Sequence, residues 1–249
     1  MVILLSCEGV SKSFGGLQAL KEVDLNVKDH EIIGLVGPNG SGKSTLLNIV
    51  SGYYKLDSGK VLLMGEKISD VPPHQICAKG IARTSQIVQS FPEMTTIENV
   101  LVGALFGGNK KGKEKKDALE RSKELLGFVG IPESKFNLPV KNLNLAELRR
   151  VQLAKALATE PKLLLLDELL AGLNPKESDE AIELIKKIRD QGITILLVEH
   201  VMRIILGLCD RVIVLHHGEK IADGPPNEIL KDETVIKLYL GKKYILSRD

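Results

Sequence analysis

The chain has 249 residues, a formal net charge of +2 and three cysteines. That length holds one large buried core with room for a smaller lobe, and at a charge so close to neutral nothing global marks a nucleic-acid binder. Cys7, Cys77 and Cys209 follow no metal-site or disulfide spacing, which points to a reducing cytosol, and no apolar run approaches the ~20 residues of a membrane helix, so any membrane role must come through partners.

In chain order, residues 1–30 carry short alternating segments such as Val23-Asp24-Leu25-Asn26-Val27, the pattern of antiparallel strands. Leu4-Leu5-Ser6-Cys7 has the shape of a lipoprotein cleavage box, but no basic region or full apolar segment precedes it, and it reads as the first strand. Residues 31–36 form a short apolar strand. Gly37-Pro38-Asn39-Gly40-Ser41-Gly42-Lys43-Ser44 follows, and Thr45 to Val50 continues as a helix. Two glycines four residues apart, then Lys and Ser, in a strand–loop–helix setting, make a phosphate loop. Without a Cβ the backbone can turn successive N–H groups inward around phosphate oxygens, and the helix N-terminus adds partial positive charge there. Lys43 would reach the β and γ phosphates and Ser44 would place its hydroxyl on Mg²⁺.

Residues 60–65 read as a further strand, and Ile81-Ala82-Arg83-Thr84 as another, which places Gln86 where it could meet Mg²⁺ or the attacking water; Gln89 competes for that role. From about Glu98 to Asn142 no strand core is visible. The stretch reads as helical, with Leu119, Leu126 and Val129 on one side, and the lysine-rich run 109–116 is a solvated loop. Continuous apolar runs at 162–167 and 193–198 are buried parallel strands. A helix with Ala181, Leu184, Ile185 and Ile188 on one face lies between them and stops near Gly192.

The first of these runs ends in Asp167-Glu168. A carboxylate at the C-terminal edge of a parallel strand stands where open α/β sheets bind ligands. Asp167 is placed to hold the Mg²⁺ shell, and Glu168 to polarise an attacking water as general base. His200 follows the second run and could contact the γ-phosphate. Phe14 is an aromatic that could stack on adenine, and His216 and His217 have no evident purpose.

Together these residues resemble the ATP-binding subunit of ABC transporters over nearly the whole chain. The resemblance implies an α/β fold: a P-loop NTPase core with a mixed sheet, an N-terminal antiparallel β subdomain and an inserted helical subdomain. Residues 1–249 would form a single ABC ATPase domain, with 1–97 and 158–249 as the core and about 98–157 as the helical subdomain. In that resemblance Gly37, Pro38, Asn39, Gly40, Ser41, Gly42, Lys43, Ser44 and Thr45 look like Walker A, Gln86 like the Q-loop, and Asp167 and Glu168 like Walker B with its catalytic Glu. Ala171-Gly172-Leu173-Asn174 looks like the D-loop, His200 like the switch histidine and Phe14 like the adenine-stacking aromatic. Ser44, Gln86 and Asp167 would be the metal residues.

Finer wording, in Phe14-Gly15-Gly16, Arg83-Thr84-Ser85-Gln86, Phe91-Pro92-Glu93-Met94-Thr95, Gly172-Leu173-Asn174-Pro175, Val198-Glu199-His200 and 208–222, resembles importers of branched-chain amino acids. This implies ATP and Mg²⁺ as cofactors, two permease subunits, a second and paralogous ATPase subunit, a solute-binding protein acting indirectly, no nucleic acid, and a peripheral place on the cytoplasmic face of the membrane. Other readings are an ATPase of lipopolysaccharide export, similar near Tyr239-Leu240-Gly241, and a soluble ABC-type ATPase, for which the chain lacks a long coiled-coil insertion and a second ATPase half. A GTPase would need Asn-Lys-x-Asp, and Asn109-Lys110-Lys111-Gly112 lacks the Asp.

One motif departs from the family. Where its signature usually reads Leu-Ser-Gly-Gly-Gln, this chain has Leu143-Asn144-Leu145-Ala146-Glu147. Asn144 can cap the helix as Ser would, with Glu147 completing a capping box. The Glu147 carboxylate is expected to weaken docking of a γ-phosphate held by the opposite subunit unless it turns back toward the Asn144 N–H. Because the family's signature acts on the nucleotide held by the opposite subunit, the resemblance implies a heterodimer with two unequal sites, and Glu147→Gln is expected to raise ATP turnover of the assembled complex.

Overall fold

A computed structural model describes residues 2–85, 90–108, 114–170 and 172–240. Gln86, Gln89, Ala171, Gly241 and residues 109–113 lie outside them. The N-terminal alternation becomes two long strands, β1 (Ile3–Phe14) and β2 (Leu17–Lys28), paired antiparallel and joined to β4 (Ser58–Leu63) and β5 (Glu66–Lys67) in the order β2-β1-β4-β5. Leu4, Leu5 and Cys7 are buried within β1, so this segment is strand, as its sequence indicates.

The second sheet has the order β10-β9-β3-β8-β7-β6, built from β3 (Ile32–Val36), β6 (Ile81–Arg83), β7 (Leu163–Asp167), β8 (Thr194–Val198), β9 (Arg211–His216) and β10 (Glu219–Gly224). Only the β9–β10 pair is antiparallel; the others run parallel. Their residues are buried on both faces, which explains the unbroken apolar runs. The strand period of two sends Ile33, Leu35, Leu163, Leu165, Leu196 and Val198 into one core with the antiparallel sheet. Ile32, Val36, Leu164, Leu166, Ile195 and Leu197 enter the other, shared with helices.

Helix α1 (Lys43–Val50) buries Leu46, Leu47, Ile49 and Val50 in the first core, between the two sheets. After α2 (Pro73–Lys79), helices α3 (Thr96–Phe106), α4 (Lys115–Phe128) and α5 (Leu145–Leu157) pack on one another. Leu126 and Val129 of the expected apolar side are buried there. The last elements are α6 (Pro175–Asp190), α7 (Met202–Leu208), α8 (Pro226–Ile229) and α9 (Glu233–Leu240). Among the described residues no helix is long and apolar enough to cross a membrane.

Burial pushes the Cys7 thiol up to about 12, with Asp24 adding to the effect, and pushes Cys209 higher still. The thiolate is the reactive form. In native protein treated with a thiol reagent near neutral pH, Cys77 is therefore expected to label first, and Cys7 and Cys209 only on unfolding, as peptide mass mapping would show.

Candidate nucleotide site

β3 delivers Gly37 to the C-terminal edge of the parallel sheet, and two glycines there are obligatory. Gly37 has φ 149°, and a Cβ on it would sit 2.1 Å from the Leu215 carbonyl oxygen; Gly42 has φ 106°, and its Cβ would meet the Ala19 carbonyl at 2.7 Å. The loop is braced by the β9–β10 hairpin, whose Gly218 N–H donates to the Ser41 carbonyl at 3.1 Å, while the Lys21 N–H donates to Gly218 at 2.8 Å.

Gly42 caps α1 without any side-chain hydrogen bond, and no acid stands in the first turn. By contrast α3, α5 and α6 each start with a complete capping box, from Thr95/Glu98, Asn144/Glu147 and Asn174/Glu177. The first N–H groups of α1 are thus left for an external anion. Ser41 Oγ is buried with no hydrogen-bond partner among the described residues. Lys43 lies only 8% exposed, its Nζ donating to the carbonyls of Gly37 at 2.7 Å and Pro38 at 2.9 Å. Burial pushes its pKa down, and Glu168 and Asp167 pull it partly back up. An uncapped helix, a buried orphan hydroxyl and a lysine held at the loop mouth fit the phosphates of a nucleotide.

A cleft of about 750 Å³ opens over this loop, lined by Phe14, Gln18, Lys21, residues 39–45, Glu168 and His217. Phe14 is 43% exposed on its wall, edge-on to Tyr54 with ring centroids 5.2 Å apart, and Lys12 Nζ lies 5.4 Å from the Phe14 ring centre. The sequence left His217 without a purpose and passed over Tyr54. His217 stands on the cleft and touches the His216 ring at 4.0 Å between centroids.

Asp167 ends β7 opposite Val198 of β8, so Glu168 and His200 come to the same edge of the sheet. Asp167 is buried, and its Oδ2 pairs with Arg83 Nη2 at 2.8 Å. The other Arg83 nitrogen, Nη1, donates to Asn48 Oδ1 at 2.6 Å and Ser51 Oγ at 3.3 Å. One guanidinium therefore ties α1, β6 and β7 together behind the phosphate loop, a function that its sequence position did not announce. Glu168 is half-buried on the cleft wall with φ 49°, a left-handed conformation unusual for a side chain of that size and typical of strained functional positions. Its N–H donates to the Val198 carbonyl at 3.0 Å. His200 is exposed at the end of β8.

The signature segment lies at the start of α5. Asn144 Oδ1 accepts the Glu147 N–H at 2.9 Å, and Glu147 Oε2 accepts the Asn144 N–H at 3.2 Å, so the expected capping box is present. Glu147 also pairs with Lys135. Burial alone would push the Glu147 carboxyl up, but Lys135 and the Asn144 N–H hold it below its ordinary value. This is the exception that the sequence allowed: the charge turns back to its own helix end and is answered by Lys135. Freeing it should restore the repulsion. Lys135→Ala is expected to lower ATP turnover of the assembled complex roughly two- to fivefold, the effect of a partly exposed pair worth ~0.5–1 kcal/mol. Adding Glu147→Gln should recover the loss; equal turnover in wild type and Lys135→Ala would contradict this.

The chain matches the ABC transporter family over residues 20–171 and a branched-chain amino acid ATP-binding cassette transporter family over residues 219–245. It is 40% identical to the high-affinity branched-chain amino acid transport ATP-binding protein LivG of Escherichia coli, over 96% of this chain and 98% of the relative. It is 37% identical to BraF of Pseudomonas aeruginosa, with the same coverage. Identity to the lipopolysaccharide export ATP-binding protein LptB of Haemophilus influenzae is 34%, over 98% and 99%. Among solved structures, a nucleotide-free ATP-binding cassette from an ABC transporter superposes with a TM-score of 0.86 at 29% identity, covering 97% of this chain and all of the other. A dimeric bacterial ABC transporter cassette, MJ0796, does so at 0.82 and 28%, over 90% and 99%. The chain belongs to the ABC transporter family, as an ATP-binding cassette that hydrolyses ATP.

Proposed function

We propose that this cassette powers an importer of branched-chain amino acids from the cytoplasmic face of the membrane. The observation that carries this reading is the match of residues 219–245 to the branched-chain cassette family, supported by 40% identity to LivG against 34% to LptB. The division into a core of 1–97 and 158–249 with a helical lobe at about 98–157 is part of the same proposal.

ATP lies along the cleft, its adenine against Phe14 and its phosphates on residues 37–45 and the N-terminus of α1. Lys43 bonds the β and γ phosphates. Ser44, Gln86 and Asp167 would hold Mg²⁺, which would supply charge neutralisation for the phosphates. Glu168 takes a proton from the attacking water, and His200 hydrogen-bonds the γ-phosphate. Asn144, Leu145, Ala146 and Glu147 face the nucleotide of a second, paralogous ATPase subunit. Each site is thus completed by the other chain.

Two permease subunits dock where the core meets the helical lobe. Phe106 is 81% exposed and Tyr53 63% exposed there, around a cleft shared with Phe91 and Cys77, close to the loop that follows β6. The test is purification of the cassette from native membranes, followed by identification of the permeases and uptake assays in proteoliposomes. Leucine, isoleucine or valine uptake driven by ATP is the expected result. Co-purification of lipopolysaccharide-export permeases would overturn the import reading and leave the ATPase assignment standing.

A further inference from the structure

Glu199 directly follows β8 and is 2% exposed, a costly place for a carboxyl group that no site motif claims. One of its oxygens, Oε1, accepts the Leu170 N–H at 3.0 Å. The other, Oε2, is buried with no hydrogen-bond partner among the described residues. One residue earlier, the Val198 carbonyl accepts the Glu168 N–H at 3.0 Å. The backbone amides of Glu168 and Leu170 are thus both fastened to consecutive residues at the end of β8, beside His200. The Val198 bond anchors the left-handed turn at Glu168; the Glu199 bond anchors the chain as it leaves that turn toward Gly172–Asn174.

We propose that Glu199 is a positioning residue for ATP hydrolysis, its carboxyl group fixing the Glu168–Leu170 segment in register with His200. It touches neither nucleotide nor water. The proposal rests on Glu168 and His200 acting as described above. Burial pushes the Glu199 carboxyl above its ordinary value, so a neutral amide, which also offers an oxygen to the Leu170 N–H, is a fair replacement.

The experiment measures steady-state ATP hydrolysis by the assembled complex and equilibrium binding of a fluorescent ATP analogue to the full chain, with melting temperatures recorded alongside. Glu199→Ala is expected to lower kcat about ten- to hundredfold, the scale of a small misplacement of a catalytic group. KM and analogue affinity stay within about twofold, because the phosphate loop is braced independently by the β9–β10 hairpin. Glu199→Gln should keep kcat within about threefold of wild type, the rescue that marks a hydrogen-bonded tether. If Glu199→Ala does not fold, Glu199→Asp, which withdraws the oxygens by one methylene, should show the same split between kcat and KM.

Unchanged kcat in Glu199→Ala, or a parallel loss of kcat and nucleotide affinity, would overturn the proposal. So would a Glu199→Gln variant as impaired as Glu199→Ala at wild-type melting temperature. Wild-type hydrolysis that survives loss of Glu168 would instead break the reading beneath it.

Discussion

Glu168→Gln is expected to reduce ATP turnover about 10²- to 10⁴-fold, the contribution typical of a positioned general base, while ATP binding stays within about twofold. The substitution replaces a carboxylate by an amide of the same shape. The left-handed backbone at this residue is held by the Val198 carbonyl, through an N–H that Gln also carries. The phosphate loop is assembled from Gly37, Gly42 and Gly218, none of which the new side chain displaces. Lys43 loses one of the two carboxylates that pull its pKa up, leaving Asp167 as the remaining one. Binding should therefore outlast chemistry, and the ATP-loaded protein should accumulate as a closed dimer with its partner ATPase subunit. Phosphate release, equilibrium nucleotide binding and size-exclusion chromatography with ATP are the measurements. Turnover near the wild-type rate would remove Glu168 from the role of base.

The features legible in the sequence are those whose physics is local. A phosphate loop is eight consecutive residues with glycine where the backbone needs it, so Gly37 to Ser44 could be read directly. The buried parallel strands announced themselves as runs of Leu and Ile. The Asn144–Glu147 box is a three-residue spacing and was equally visible. Its partner Lys135 was not, because it comes from a preceding turn on the other side of residues 136–143. Arg83 and Asp167 are separated by 84 positions, and only the adjacency of β6 and β7 brings them together. Tyr54 meets Phe14 through the folding of the antiparallel sheet against α1, and Glu199 finds Leu170 through the pairing of β7 with β8. Sheet order is a long-range property, and each missed residue depends on it.

The same dependence gives Arg83 a large expected effect on stability. Arg83→Met removes the counter-charge from a carboxylate that is 6% exposed and leaves Asn48 without the donor it faces at 2.6 Å. Breaking one partner of a buried pair costs about 3–5 kcal/mol. The lower end applies, since Lys43 also lies within electrostatic reach of Asp167. For a chain of this size ~3 kcal/mol corresponds to a fall of roughly 6–12 °C in melting temperature. Arg83→Lys should recover only part of this, because a single ammonium cannot span Asp167, Asn48 and Ser51 in the planar fork of a guanidinium. Combining Arg83→Met with Asp167→Asn should cost clearly less than the sum of the two single changes, since the double variant buries no unpaired charge. Arg83 and Ser85 both line the proposed permease cleft, so the guanidinium joins that cleft to the carboxylate proposed to hold Mg²⁺. Additive costs in that cycle would mean that the pair does not couple β6 to β7, and that strand pairing with β6 and β8 holds Asp167 in place without it.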